Sequence, residues 1–188
     1  NCGGEQSSWV SANFRTACGS VSVPYTVDFE SASTQAALPD CWKRYNTYST
    51  STDYPYTVSN YSVSGSRSLY FYSSSTTYAL AALPSIDMSI PQMSDLMVSF
   101  SMRPASVNAR MIVGVMSDPN DPTTFVPVDT VQNTEASVFE QHKVLLTNYT
   151  GSGRYVALKN CNSGGSYSIY VDDVVVDMLS CFDIMNPI

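Results

Sequence analysis

The chain has 188 residues, with 9 Lys and Arg against 16 Asp and Glu for a net charge of −7, and is 44% hydrophobic but only 13% charged. Its apolar content is too high for a disordered chain, and it has no basic surplus to neutralise nucleic-acid phosphates. The longest apolar stretches, 111–116 and 174–176, fall far short of the roughly 20 residues of a membrane-spanning helix, so no membrane insertion is expected.

Three regions are expected: a Gly- and Ser-rich linker or upstream tail at 1–20, a patterned body at 21–179, and the start of a downstream linker at 180–188. Within the body the sequence predicts strands at 21–29, 69–72, 78–83, 97–102, 109–116, 124–128, 137–146, 154–159 and 167–176. In Met97-Val98-Ser99-Phe100-Ser101-Met102 polar and apolar residues roughly alternate, the pattern of a strand with one wet face. The run 109–116 is more continuously apolar and suits a central strand. Ser117-Asp118-Pro119-Asn120-Asp121-Pro122 is a turn, since Pro presets φ and the Asp and Asn side chains bond local backbone. The best helix candidate, 32–38, is short and ends at Pro39. Many short strands between turn clusters predict an all-β protein, an antiparallel β-sandwich in preference to a barrel.

Five cysteines in a Ser-, Thr- and Tyr-rich chain fit an exported protein; the alternative is a cytosolic one with reduced thiols. Asn1-Cys2-Gly3-Gly4 has neither a basic start nor an apolar core, so a mature fragment or a piece of a longer chain is expected. The odd cysteine count implies a partner outside the fragment or one free thiol.

Catalytic equipment is sparse. The one histidine, His142, sits in the strand-like run Glu140-Gln141-His142-Lys143 and reads as a solvated strand position. No nucleophile elbow, Cys-x-x-Cys pair, His-Glu-x-x-His helix or Gly-rich phosphate loop is present, so the expectation is no enzyme and no zinc.

The acidic residues are more informative. Asp28-Phe29-Glu30 closes the first strand, and Asp172-Asp173 interrupts an otherwise apolar one. Adjacent carboxylates in such a strand are costly unless compensated. Calcium, a hard cation that takes several oxygens, would compensate them; the alternative is a bulge or a solvent-facing rim. If the first and last strands pair antiparallel with Cys18 opposite Cys181, residue 28 faces residue 171 and the two acidic clusters meet. Cys41 with Cys161 is then the second candidate disulfide, leaving Cys2 over.

Cys41-Trp42-Lys43-Arg44-Tyr45-Asn46-Thr47-Tyr48, followed by Tyr54, Tyr56 and Tyr61, is an aromatic segment. Exposed tyrosines can stack on sugar rings, which makes Tyr45, Tyr48, Tyr54 and Tyr56 a candidate glycan platform. Alternatively Trp42 packs in the core and the tyrosines are simply good strand residues. Asn60-Tyr61-Ser62 and Asn148-Tyr149-Thr150 match the N-glycosylation pattern.

Pro24-Tyr25-Thr26-Val27-Asp28-Phe29-Glu30, then Leu38-Pro39-Asp40-Cys41-Trp42, resembles the opening of MAM-like jelly-roll domains of bacterial surface proteins. These are the cleaved-adhesin or choice-of-anchor J modules, related to gingipain adhesin domains. Gly65-Ser66-Arg67-Ser68-Leu69-Tyr70, the run 80–83 with Pro84-Ser85-Ile86, and Val113-Gly114-Val115-Met116-Ser117-Asp118-Pro119 are similar to later family segments. Tyr149-Thr150-Gly151 and Tyr170-Val171-Asp172-Asp173-Val174 complete the resemblance over about 22–177. It implies a jelly-roll sandwich like that of carbohydrate-binding modules, a secreted or cell-surface bacterial setting, a multidomain parent chain, and no catalysis. It also implies structural calcium near the first and last strands, at Asp28, Glu30, Asp172 and Asp173. Adhesion to glycans or host glycoproteins is the function expected; the alternative is a calcium-stabilised structural spacer. The cysteines lie outside the family pattern.

Overall fold

The longest strand organises the molecule. In the computed structural model, which describes residues 18–32, 37–48, 53–161, 165–180 and 183, strand β11 (Tyr167–Met178) lies at the centre of a six-stranded antiparallel sheet. The order is β3 (Tyr56–Val58), β4 (Ser68–Ser73), β11, β6 (Leu96–Pro104) and β9 (Glu140–Leu145). The short strand β1 (Tyr25–Val27) also pairs with β11, on the edge that β4 leaves free: β4 covers Tyr167–Val171 and β1 covers Val174–Val176. The second sheet runs β2 (Lys43–Asn46), β5 (Tyr78–Ala82), β10 (Tyr155–Cys161), β7 (Met111–Met116) and β8 (Val126–Val131). Two 3-10 turns, Met93–Asp95 and Pro122–Thr124, precede β6 and β8.

Period-2 patterning decides which side chains go inside. Leu69 and Phe71 of β4, Val98, Phe100 and Met102 of β6, Val113 and Val115 of β7, and Ile169 and Val171 of β11 meet in one core between the sheets. Each such side chain contributes about 1.5–3 kcal/mol when fully buried. Trp42 joins this core at 5% exposure, edge-on to Phe29, and its indole N–H donates to the Tyr25 hydroxyl at 2.9 Å. A smaller cluster of Leu80, Ala82, Met116 and Ala157, packed with Tyr78, Phe125 and Tyr155, stands apart from it.

All nine expected strands are present with shifted ends, and the structure adds two, β2 and β3, cut from the aromatic segment. The first strand is shorter than expected. Pro24 offers no N–H to a ladder, β1 starts only at Tyr25, and Val21 makes an isolated bridge to Ile86. Much of the helix candidate at 32–38 lies outside the described residues.

The register and the disulfides differ from expectation. Tyr25 faces Val176, two positions beyond the expected residue 174, a slip that preserves the faces. Cys18 is bonded to Cys41, with Cα atoms 5.4 Å apart, not to Cys181. Cys18 precedes the strand and folds back onto the loop leading to β2, so it never enters the ladder that would carry it to the last strand. The expected Cys41–Cys161 pair is excluded with it, because Cys41 is already taken. Cys181 and the side chain of Cys161 lie outside the described residues. The bond ties residue 18 to the body, as does the Ser20 hydroxyl, which donates to Asp87.

Candidate functional site

β11 changes partner between Val171 and Val174, and the two acidic residues fall in that gap. The ladder with β6 breaks between Asp172 and Val175, and Asp173 takes a φ of 50°, so the bulge reading of this pair is the one the backbone follows. Asp172 is fully buried. Its Oδ2 accepts the N–H of Val63 at 2.7 Å and of Ser64 at 3.2 Å, and its Oδ1 accepts that of Asp173. Burial pushes its carboxyl above the ordinary range, while these N–H bonds pull the other way. Asp173 accepts the Ser64 hydroxyl at 2.5 Å.

Glu30 grips the same loop from its other side. Its carboxylate accepts the N–H groups of Ser66 at 2.8 Å and Arg67 at 2.6 Å and the Ser66 hydroxyl at 3.0 Å. The Ser66 N–H is the largest cause of a lowered Glu30 carboxyl. A Cβ on Gly65, where φ is 56°, would sit within 3 Å of the Glu30 side chain, so glycine is required both for conformation and for space. Asp28 caps the Glu30 N–H. The four acidic candidates therefore divide. Glu30 and Asp172 clamp loop 61–67 through backbone N–H donors, while Asp28 and Asp173 line an open depression of about 350 Å³ between β1 and β11. Among the described residues no three acidic, His or Cys side chains gather around one point.

The aromatic candidates also divide. Tyr45, on β2, stacks on Tyr78 at 5.8 Å, beside Lys159, whose ammonium lies 4.2 Å from the Tyr78 ring. Tyr48, Tyr54 and Tyr56 belong to a different assembly. Arg44 draws residues 53–55 against β2 by donating to the carbonyls of Asp53 and Pro55. Tyr54 then becomes a hub, in ring contact with Tyr48, Tyr56, Tyr70 and Tyr72 at 5.4–6.0 Å. Burial, reinforced by its tyrosine neighbours, pushes the Tyr54 hydroxyl up to about 12.

From this hub a row crosses the outer face of the six-stranded sheet. Tyr56 pairs with Tyr70, Tyr70 with Tyr170, and Tyr170 with Arg103, on four adjacent strands. The Tyr56–Tyr70 and Tyr70–Tyr170 centroids are 5.6 and 4.9 Å apart. Tyr61, carried by the clamped loop, packs edge-on to Tyr170 at 4.9 Å, and the Arg103 guanidinium lies 3.7 Å over its ring. The sequence reading missed Tyr70, Tyr72, Tyr170 and Arg103. The alternation in Ser68-Leu69-Tyr70-Phe71-Tyr72-Ser73 puts Tyr70 and Tyr72 opposite the core residues, which was the available signal.

His142 is not a solvated position. It is half-buried on β9, its ring nitrogen 2.8 Å from Asn133 Oδ1, and Asn133 in turn donates to the Met102 and Val138 carbonyls. Burial lowers its pKa, against the pull of Glu140.

This two-sheet architecture is that of adhesin-type and carbohydrate-binding jelly rolls. The K2 cleaved adhesin domain of Lys-gingipain superposes with a TM-score of 0.60 at 17% identity, over 82% of this chain and 99% of that one. The K1 domain of Lys-gingipain from Porphyromonas gingivalis gives 0.56 at 16% identity, over 83% and 98%. A family 30 carbohydrate-binding module from a cellulosomal cellulase of Clostridium thermocellum gives 0.53 at 10%, over 78% and 94%. No protein-family model and no curated protein matches the sequence.

Proposed function

We propose that this domain is a non-catalytic binding module of a secreted or cell-surface multidomain bacterial protein, and that it recognises glycans or glycoproteins through the tyrosine array. One observation carries the reading: the cross-strand row Tyr56, Tyr70 and Tyr170, ending at Arg103, on a sheet face opposite the core. Three interstrand spacings give it a length of about 14 Å, enough for a short stretch of sugar rings. Tyrosines offer apolar faces with hydroxyls at their edges, the combination that an amphipathic sugar ring needs. The shared fold with adhesin and carbohydrate-binding modules supports the same reading.

Structural calcium enters the proposal in reduced form. Glu30 and Asp172 each accept three hydrogen bonds, whereas Asp28 and Asp173 each accept one among the described residues and line the same depression, so this pair would offer oxygens to a hard cation beside β1 and β11. A spacer role is the competing reading, supported by the Cys18–Cys41 bond and the acid-clamped loop, which stiffen the N-terminal edge.

Affinity electrophoresis in gels containing neutral or acidic polysaccharides tests the binding role. Tyr70→Ala and Tyr170→Ala should abolish retention while the folded baseline persists. Retention by no polysaccharide would favour the spacer.

A further inference from the structure

Arg103 ends the tyrosine row, and it differs from the other described arginines. Arg44 donates to the Asp53 and Pro55 carbonyls, Arg67 to that of Ala32, Arg110 to the Gln132 side chain, and Arg154 to the carbonyls of Ile86, Asp87 and Ile90. Arg103 makes two ring contacts, 3.7 Å over Tyr61 and 5.8 Å over Tyr170, and among the described residues no oxygen accepts from it. This holds in a chain with 16 acidic side chains. Stacking engages the flat face of a guanidinium; its N–H donors lie in the plane and point sideways. The contact therefore fixes the group's orientation while leaving its edge open to a planar acceptor. Carboxylate matches that fork bidentately.

The clamped loop supports the arrangement. Tyr61 is held beneath the guanidinium because Asp172 and Glu30 fix residues 63–67 from two sides. An aromatic row, with Tyr56 edge-on to Tyr70 and Tyr70 tilted by 30° against Tyr170, ending in a ring-stacked cation that no described oxygen engages, fits a chain of sugar rings that carries a carboxylate at its edge.

We infer that the ligand of the array is an acidic glycan, a chain of hexuronate units whose carboxylate binds Arg103 while its rings lie along Tyr170 and Tyr70. The inference rests on the reading of the array as a glycan platform and adds the chemical class. With a net charge of −7 the domain does not attract a polyanion by its overall field, so the discrimination has to come from the local contact at Arg103.

The test is affinity electrophoresis of the intact domain in matched gels. The probes are polygalacturonate, its fully methyl-esterified form, alginate, hyaluronan, neutral galactan and, as a non-sugar polyanion, polyglutamate. Polygalacturonate or another of the uronate polymers should retain the domain about tenfold better than the methyl ester, as expected for loss of one bidentate charged contact. Arg103→Gln should remove that preference, and Arg103→Lys should restore little of it because the planar fork is gone. Both variants are checked by thermal melting. Retention by neutral polymers with no preference for the acids would overturn the inference and leave the platform standing. Equal retention by polyglutamate would also overturn it, by showing that bare charge is read. Retention by none of the sugars would end both readings, and an unchanged preference in Arg103→Gln would end the role of Arg103.

Discussion

The buried carboxylate of Asp172 accepts the backbone N–H of Val63 at 2.7 Å, joining the middle of β11 to a loop 109 positions away in sequence. The bond lies where β11 passes from β4 to β1, so the loop supplies N–H donors at the point where the ladder is interrupted. The same loop carries Tyr61 to the tyrosine row. A device of backbone repair is thus also a device of placement.

Asp172→Asn should lower stability at neutral pH by roughly 1–3 kcal/mol, because an amide presents one acceptor oxygen and turns an NH₂ toward donors. Its pH dependence should change as well. The Asp172 carboxyl is raised from 3.8 by burial, so its charge destabilises the fold as pH rises through the folded value, and acid relieves that term. Glu30 is lowered from 4.5, chiefly by the Ser66 N–H, so its stabilisation is complete above that value and is lost as pH falls. Urea unfolding from pH 7 to pH 3 should therefore show a steeper acid loss in Asp172→Asn than in the parent, and a shallower one in Glu30→Gln. Parallel curves for all three would refute this assignment.

Cys18→Ala should destabilise the domain by about 3 kcal/mol, the loop-closure value for a 23-residue separation. It is the cleaner of the two cysteine substitutions, since Cys41 itself holds a φ of 69°. Cys18→Ala with Cys41→Ala removes the same single bond, so any further loss beyond Cys18→Ala measures the change at Cys41 itself. Denaturant midpoints followed by tryptophan fluorescence report this through Trp42, whose neighbour Cys41 makes the bond.

Tyr54 supports the array rather than simply lining it. Four ring neighbours and its packing against the main core predict that Tyr54→Ala costs roughly 2 kcal/mol. Tyr45→Ala, on the other sheet, should change the midpoint little and leave glycan retention by the row intact. If Tyr45→Ala abolished retention and Tyr70→Ala did not, the binding surface would have to move to the five-stranded sheet.

Calcium should raise the melting temperature, and excess chelator should reverse the rise, because a ligand confined to the folded state stabilises it by mass action. Asp28→Asn and Asp173→Asn should each erase the difference. A melt indifferent to chelator would remove the metal and leave Asp172 and Glu30 as loop-clamping carboxylates.

The site was partly legible. Alternation along Met97-Val98-Ser99-Phe100-Ser101-Met102 marks β6, and of the two readings open for Trp42 the structure follows the core one, at 5% exposure. Two acidic clusters near the terminal strands were also readable, as was their proximity. That Glu30 and Asp172 would spend their oxygens on a loop between them was not, since nothing local to either residue points to Val63 or Ser66. The pairing of Cys18 was missed because a strand was extended through Pro24, where the ladder cannot form.

By itself the sequence determines that this chain is an all-β sandwich. Period-2 alternation and turn chemistry are properties of neighbouring residues, and they mark nine of the eleven strands among the described residues without any partner being known. Only the tertiary structure decides which strands lie side by side. The order β3-β4-β11-β6 brings Tyr56, Tyr70, Tyr170 and Arg103 into one row from four distant segments, and β1 against the second half of β11 sets which acidic residues meet. Those choices follow from closing two sheets over a shared core, a condition on the whole chain that no window of residues contains.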